Sequence, residues 1–340
     1  MYHIIINPNA GRGRTLGHLP HLTRLFAENR LMYTTHITTG IFDAREKARE
    51  ICENHPNSAG IIGIGGDGTF QEIAAGVRQA HNERREQESA AAHSLEAVNS
   101  VGGDSGVRPA SRIPLGIFPA GSGNDFITTL EYEKSGGKKS ARSKYGKNAE
   151  HNARAFFDTL MRGETRTIDV ITANGTAFLN IGNIGLDARI VQTAGALKKR
   201  FGSRAYYAAV YQSVVHHKNL LLVIEADGKK FCGEYTLVAV CNGQYYGGGM
   251  RVAPTARLDD GKITLCLAEG ISRPKIMALF PLLAMAKHER LKFVKFIECE
   301  NVKISLPNSA ESLCLDGNLY PNIGDEIEFK ILPRALEVFV

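Results

Sequence analysis

The fold is decided by residues 60–71, GIIGIGGDGTFQ. Residues 60–64 are an apolar run that predicts a buried strand, and residues 71–79 have the spacing of a helix. The glycines between them allow a sharp turn and the close approach of a ligand, and amides at a helix N-terminus point at a bound anion. The stretch suits a nucleotide polyphosphate. It is neither the GxGxxG of dinucleotide-binding proteins nor the GxxxxGK[ST] of P-loop proteins.

Two further turns follow predicted strands. Residues 119–126, PAGSGNDF, come after the strand at 114–118, and residues 7–14, NPNAGRGR, come after the strand at 2–6. Strands of a parallel sheet end at one edge, where ligands bind, so we expect these turns to share one crevice. The third turn is either a plain connection or a phosphate site that uses Arg12 or Arg14.

The order of elements predicts the fold class. Helices at 18–29 and 43–53 and a strand at 32–38 complete a βα rhythm over the first 130 residues, which is typical of a doubly wound α/β nucleotide-binding domain. From about residue 165 the chain reads as short strands with turns at Asn174-Gly175 and Asp227-Gly228, which predicts a β-sandwich domain. Two helices, near 204–216 and 273–290, interrupt it. The boundaries we predict are an α/β domain at 1–165, a β-sandwich domain at 166–332 and a last strand at 333–340 that returns to the first domain.

Two segments interrupt the βα order of the N-terminal domain. Residues 81–112 are rich in Ala, Ser, Glu and Gly, and residues 131–154 hold seven Lys or Arg against three acidic residues. We interpret both as mobile surface insertions. The second carries +4 of the chain's net charge of +6. It is either a solvated loop or a segment that faces a membrane or steers phosphate.

The composition excludes a disordered or fibrous protein as a description of the whole chain. Hydrophobic residues make up 43% and charged residues 22%, as in globular proteins. The six cysteines form neither a CxxC pair nor a zinc-ligand spacing, which predicts free thiols. The longest mostly apolar stretch, 276–286, is shorter than the ~20 residues of a spanning helix. We therefore expect a cytoplasmic chain.

Six motifs in order resemble the diacylglycerol kinase catalytic family, which includes sphingosine and ceramide kinases. They are NPNAGRGR, GGDGTFQEIAAG, PLGIFPAGSGNDF, NIGLDA, GGGMRVAPTARLDDGKITL and LCLDGN. The GGDGT element alone is shared with NAD kinases and phosphofructokinases. The resemblance implies two domains, the first of the NAD kinase and phosphofructokinase type and the second a β-sandwich, with ATP bound between them.

The resemblance also implies roles for single residues. Asp316 matches the family's general base, and Asp67, Asn124 and Asp125 would form the carboxylate and Mg²⁺ network at the phosphates. Asp260, with the carbonyls of Arg257 and Lys262, matches a structural Mg²⁺ site. The remaining expected contacts to ATP are Thr38, Gly65, Gly66, Gly68, Thr69, Phe70, Gln71 and Ser122.

Three positions depart from the family. Asn318 stands where the family has Glu, Gln71 where it has Asn and Ser122 where it has Thr. The last two keep hydrogen-bonding groups. The loss of the Glu removes a negative charge two residues from Asp316, which bears on cation handling and on the pKa of Asp316.

These features predict an ATP-dependent, Mg²⁺-assisted lipid kinase that acts on diacylglycerol, a long-chain base or a related lipid. The alternatives are a lipid- or nucleotide-binding regulator with little turnover and, less favoured, an NAD kinase. The expected partners are ATP and a lipid acceptor at a membrane surface; nucleic acid is not expected, and a homodimer is left open. For membrane contact we single out a basic patch at 197–204 and a predicted helix at 274–295 with Leu279, Phe280, Leu282 and Leu283 beside lysines and arginines. The alternative for that helix is ordinary packing on the sandwich.

Overall fold

The computed structural model describes residues 1–96, 113–137, 145–146, 148–201, 205–284, 287–307 and 311–340. The helices are α1 Leu19–Glu28, α2 Asp43–Asn54, α3 Asp67–Glu96, α4 Asp125–Lys134, α5 Ala149–Arg162, α6 Leu186–Phe201, α7 Ala205–Val215 and α8 Arg273–Ala284. The strands are β1 Tyr2–Ile6, β2 Tyr33–Ile37, β3 Gly60–Gly65, β4 Leu115–Pro119, β5 Thr165–Ala173, β6 Thr176–Phe178, β7 Ile181–Gly185, β8 Leu220–Ala226, β9 Lys229–Cys241, β10 Tyr245–Tyr246, β11 Met250–Arg251, β12 Ile263–Glu269, β13 Val294–Cys299, β14 Asn301–Ser305, β15 Leu313–Leu315, β16 Asn318–Tyr320 and β17 Glu326–Phe339.

The N-terminal half is an α/β layer structure. Strands β2, β1, β3 and β4 lie side by side in that order and are all parallel. One face of this sheet is covered by α2 and α3 and the other by α1 and α5, so that two separate cores enclose the strands. Strand β3 is buried along its whole length. The predicted doubly wound α/β class is confirmed.

The C-terminal half is β-sandwich-like and antiparallel. Its path runs β17, β14, β8, β9, β7, β15 and β16, and β12 and β13 branch from β9. One core lies between the strands, and a second lies under helices α6, α7 and α8. Both predicted hairpin turns form, with positive φ at Asn174, Gly175, Asp227 and Gly228. Positive φ at both central residues is the geometry that matches the twist of paired strands.

Strand β17 belongs to both halves. It pairs with β14 and β5 in antiparallel fashion, and near its end Val338 pairs with Leu115 of β4 in parallel. The register shifts between Leu332 and Leu336. The last strand, expected at 333–340, is thus the end of one long bent strand that begins at Glu326.

Several predicted elements were wrong in extent. Helix α3 does not stop at residue 79 but continues to Glu96 through the first predicted insertion. The Ala, Glu, Gln and Arg of this segment are good helix formers, which accounts for a helix where a mobile insertion is predicted. The rest of that insertion, 97–112, lies outside the described residues. In the second insertion, α4 extends to Lys134 and α5 begins at Ala149, while 138–144 and 147 lie outside the described residues.

The C-terminal half also holds more helix than the sequence suggested. Helix α6 was not predicted, and the predicted helix at 274–295 ends at Ala284, with Lys295 in strand β13. Part of the basic patch at 197–204 lies outside the described residues. All six cysteines are free, and all but Cys232 are buried.

Candidate active site

Three glycine turns pack against one another at the carboxyl ends of β1, β3 and β4. A Cβ placed on Gly121 would lie only 2.5 Å from the Cα of Gly66, so that the turn after β4 touches the turn after β3 along its backbone. A Cβ on Gly11 would lie 2.1 Å from the carbonyl oxygen of Ala120. Glycine is therefore required at these positions by close approach, and the predicted convergence of the turns is observed.

The turn after β3 is stabilised by a contact from the turn after β1. The Thr69 side chain lies directly under Gly65, where a Cβ would meet its Oγ1 at 2.5 Å. Asn7 donates a hydrogen bond to that hydroxyl at 3.1 Å. The Phe70 side chain is buried in the core, and Thr38 is buried where its amide donates to the carbonyl of Ile6. Of these residues, Phe70 offers only its backbone to a nucleotide.

The turn after β4 is organised by its own polar side chains. Asn124 takes a left-handed conformation with φ of 59°, and its Oδ1 accepts the amide of Gly121 at 2.9 Å. The Asp125 carboxylate accepts the amides of Gly248 and Gly249 at 2.8–3.1 Å, which joins α4 to the glycine loop of the β half. Ser122 is exposed at the rim of the turn.

Asp67 and Asp125 converge on Gly123. A Cβ on this glycine would lie 2.9 Å from Oδ2 of Asp125 and 3.2 Å from Oδ2 of Asp67. Asp67 keeps some exposure as a residue, but its carboxylate is enclosed, and this burial raises its pKa. Burial, together with the charge of Asp67, raises the pKa of Asp125 to about 7. Two carboxylates that repel each other across one point are a donor set that fits a hard divalent cation such as Mg²⁺.

Asp316 lies opposite these turns, on the short connection between β15 and β16. Its φ of 48° and the following Gly317 turn its carboxylate inward. The carboxylate accepts three backbone amides, those of Leu179, Asn180 and Ile181, at 2.7–3.3 Å. Burial raises the pKa of Asp316 to about 7, although the amide donors oppose the rise.

One cavity of about 370 Å³ connects these groups. Asp67, Ser122 and Asp316 lie in its wall, together with the apolar side chains of Ile190 and Val191 from α6. The wall thus combines residues of the turns after β3 and β4, which we call the nucleotide turns, with residues of the β half.

Two polar groups in this wall were not given roles by the sequence. Asn183 and Asp187 are 5% and 4% exposed, and Oδ1 of the first and Oδ2 of the second have no hydrogen-bond partner among the described residues. Burial raises the pKa of Asp187 to about 7, and the nearby Tyr246 hydroxyl opposes the rise. The NIGLDA motif drew attention to both residues, but only the cavity indicates a reason for it.

The turn at 257–262 lies apart from the cavity. The Asp260 carboxylate accepts the amide of Lys262 at 3.0 Å, and the Lys262 ammonium pairs with Glu298 at 2.8 Å. Burial raises the pKa of Asp260, and the charges of Asp169 and Glu298 add to the rise. This excess of negative charge suits a cation, so the chemistry of the turn fits the expected Mg²⁺ site. Within the described residues, no group of three or more His, Cys, Asp or Glu side chains could hold a metal ion.

Asp169 organises this turn, and sequence reasoning missed it. It is fully buried in β5, and its carboxylate accepts the amides of Gly261 at 2.6 Å and Arg334 at 2.7 Å. An acidic residue between the apolar Ile168 and Val170 was the available signal. Of the two arginines in the turn after β1, Arg14 donates to the carbonyl of Gly11 at 3.0 Å, and Arg12 is exposed.

Taken together, the fold and the cavity define a two-domain protein with an α/β nucleotide-binding half, a β-sandwich-like half and a shared acidic site. The family model of the diacylglycerol kinase catalytic domain matches residues 1–173, and that of the YegS C-terminal NAD kinase beta sandwich-like domain matches residues 181–340. The chain belongs to the diacylglycerol kinase catalytic domain family. Membership in this lipid kinase family implies ATP and a lipid as substrates.

Relatives resemble the chain over most of its length. A diacylglycerol kinase of Bacillus subtilis is 26% identical over 315 residues, 92% of this chain and 88% of the relative. One of Mycobacterium tuberculosis is 29% identical over 279 residues, 78% of this chain and 83% of the relative. The crystal structure of a diacylglycerol kinase from Bacillus anthracis is 20% identical, with a TM-score of 0.61, and covers 99% of this chain and 96% of its own. That structural likeness supports the fold. No helix within the described ranges is long and apolar enough to cross a membrane.

Proposed function

We propose that this protein is an ATP-dependent lipid kinase that transfers the γ-phosphoryl group of ATP to a lipid hydroxyl, with Asp316 as the general base. The observation that carries the proposal is the shared cavity: Asp67 and Ser122 of the nucleotide turns and Asp316 of the β half line the same 370 Å³ space. A phosphoryl donor at the turns and a hydroxyl beside Asp316 would therefore meet in it. The acceptor is diacylglycerol, a long-chain base or a related lipid.

Asp316 is suited to take the proton of the acceptor. As the hydroxyl oxygen attacks the γ-phosphorus, its O–H bond breaks and the proton passes to the carboxylate, while the new O–P bond forms. The bond between the γ-phosphorus and the β–γ bridging oxygen breaks, and ADP leaves. A pKa near 7 keeps Asp316 a competent base at neutral pH.

The nucleotide end of the cavity would hold the phosphates through backbone and carboxylates. The convergent turns offer amides at the starts of α3 and α4, where anions bind. Asp67 and Asp125 would hold Mg²⁺, which supplies neutralisation of the phosphate charge when it is bound. Thr38, Ser122 and the backbone of 65–71 are the proposed contacts to ATP, and Asp260 with the carbonyls of Arg257 and Lys262 is the proposed structural Mg²⁺ site.

The inner end of the cavity is suited to the acceptor. Ile181, Ile190 and Val191 provide apolar surface, and the free oxygens of Asn183 and Asp187 provide hydrogen-bond acceptors. Buried polar oxygens without partners are costly, so a head group that donates to them would gain affinity. We propose this end as the head-group site of the lipid.

The test is phosphate transfer from labelled ATP, with Mg²⁺, to a panel of lipids in detergent micelles. We expect a labelled phospholipid from the native protein and a loss of at least about a thousandfold in Asp316→Asn, because an amide takes up no proton. Binding of ATP, measured by calorimetry, and the melting temperature serve as controls for folding. Transfer by Asp316→Asn at the native rate would refute the role of Asp316.

A second candidate function is a lipid- or nucleotide-binding regulator with little turnover. It is favoured by Asn318, whose amide replaces a carboxylate of the family beside Asp316. ATP binding without transfer to any lipid in the panel would support this function against the kinase. NAD included as an acceptor in the same assay tests the less favoured NAD kinase alternative.

A further inference from the structure

A chain of hydrogen bonds joins the nucleotide turn after β3 to strand β16. Nδ2 of Asn318 donates to the carbonyl of Gly68 at 2.9 Å and to Oε1 of Gln71 at 2.8 Å. The Tyr320 hydroxyl donates to the same Oε1 at 3.2 Å. Nε2 of Gln71 donates to the carbonyl of Ala177 at 2.7 Å. We call Gly68, Gln71, Ala177 and Asn318 the amide clasp.

The direction of every bond in the amide clasp is determined by its two ends. The carbonyls of Gly68 and Ala177 can only accept, so Asn318 must present its NH₂ to Gly68 and Gln71 must present its NH₂ to Ala177. Gln71 then turns its oxygen toward Asn318, as observed. Gln71 is fully buried, so water does not replace a lost partner. Position 318 therefore requires a hydrogen-bond donor.

The amide clasp also touches the turn closely. A Cβ on Gly68 would lie 2.6 Å from Oδ1 of Asn318, so this side chain rests directly on the turn. Asn318 begins β16 two residues after Asp316, which makes the distance between the turn and Asp316 depend on the clasp. Two of the three departures from the family, Gln71 and Asn318, are partners in one bond.

We propose that Asn318 and Gln71 are positioning residues that fix the nucleotide turn against the Asp316 loop, and that Asn318 does so only as a neutral donor. This inference rests on the proposed function, because it assumes that the turn binds ATP. A carboxylate at position 318 would face the oxygens of Gly68 and Gln71 and repel them. The family's Glu would therefore disturb this site when it is introduced alone.

The test measures binding of a non-hydrolysable ATP analogue, adenylyl-imidodiphosphate, by calorimetry. Asn318→Asp keeps the size of the side chain and removes the donor. At pH 8 we expect its Kd to exceed the native value by at least about tenfold, with the KM of the acceptor lipid unchanged. Facing two acceptors, the introduced carboxyl should have a raised pKa, and its protonated form donates again. The ratio of variant to native Kd should therefore fall as the pH is lowered from 8 to 5.5.

Tyr320→Phe is the matched control, because it removes one donor to Gln71 and leaves Asn318 in place. We expect its Kd to stay within about threefold of the native value. Asn318→Glu should lower the rate of transfer below that of the native protein. A Kd ratio near one for Asn318→Asp at pH 8, a ratio that does not change with pH, or a gain in rate for Asn318→Glu would each overturn the proposal. A native protein that does not bind the analogue would overturn the proposed function as well, whereas native binding with an unaffected variant overturns the clasp alone.

Discussion

Asp316 takes a backbone conformation that few residues with a side chain adopt. Its φ of 48° would be strained for most residues, and Asp tolerates it better than a β-branched residue does. Three backbone amides donate hydrogen bonds to its carboxylate. They hold the ionised form in a defined orientation inside an enclosed site. Among the described residues, its hydrogen-bond donors are backbone amides, and burial is the main influence on its pKa.

The raised pKa of Asp316, the proposed base, predicts how catalysis depends on pH. Burial raises the pKa of Asp316 to about 7, and the base acts only when it is ionised. We expect kcat/KM for the lipid to rise about tenfold per pH unit below pH 7 and to level off above it. Initial rates between pH 5 and 9 with subsaturating lipid would measure this. A profile that stays flat down to pH 5 would contradict Asp316 as the titrating base.

Asp187 offers a second test at the residue scale. Its buried oxygen lacks a partner, so Asp187→Asn removes a costly charge from the interior while keeping the shape. We expect the melting temperature at pH 8 to stay the same or rise, while the KM of the lipid acceptor rises by about tenfold. The KM of ATP serves as the internal control and should not change. A lipid KM equal to the native value would remove Asp187 from the head-group site.

At the scale of elements, the active site depends on turns that pack on each other. The turns after β1, β3 and β4 touch through Gly11, Gly66 and Gly121, where side chains would collide. The amides at the starts of α3 and α4 are brought together by this contact, because each turn leads directly into its helix. Asp125 then ties α4 to the loop at Gly248 and Gly249, which couples the nucleotide turns to the β half.

Gly121→Ala tests this packing. Its Cβ would lie 2.5 Å from the Cα of Gly66 and would push the two turns apart. We expect ATP to bind at least about tenfold more weakly and the free energy of unfolding to fall by roughly 2 kcal/mol. Isothermal calorimetry and urea unfolding would measure the two effects. Gly17→Ala is the control, since a Cβ there meets nothing within 4 Å and should leave both values unchanged. Equal effects of the two variants would contradict the argument.

At the scale of the whole molecule, β17 joins the two halves by hydrogen bonds and α6 contributes to the wall of the cavity. Ile190 and Val191 of α6 line the cavity, and α6 packs on α7. Between α7 and α8 lies an open groove of about 280 Å³ with apolar side chains at its edge. Tyr211 is 65% and Met277 is 43% exposed there, beside the cationic Arg273. Exposed apolar side chains next to a cation are typical of contact with an anionic membrane surface.

We expect the double variant Tyr211→Ser with Met277→Ser to bind vesicles of anionic phospholipid at least about fivefold more weakly than the native protein. Vesicle sedimentation measures this binding. Met32→Ser is the matched control, because Met32 is 71% exposed on the α/β half. Transfer to a micellar lipid should be nearly unchanged in both variants. A double variant that binds vesicles as the native protein does would show that the membrane contact lies elsewhere.

The sequence by itself determined the βα order of the first four strands, the class of each half and the identity of the glycine turns. Those features rest on local physics, since strand and helix periodicity, hairpin residues and glycine conformations are set within a few positions of the chain. The extent of α3 was missed, because a segment with good helix formers and little periodic apolar spacing resembles a loop. Helix α6 was missed although Leu186, Ile190 and Leu197 have helical spacing and pack in the core. Tertiary structure alone decided which polar groups meet. The amide clasp, the bonds of Asp125 to the glycine loop and the bonds of Asp169 to Gly261 and Arg334 all join residues far apart in the chain. Only packing brings such groups within hydrogen-bonding distance.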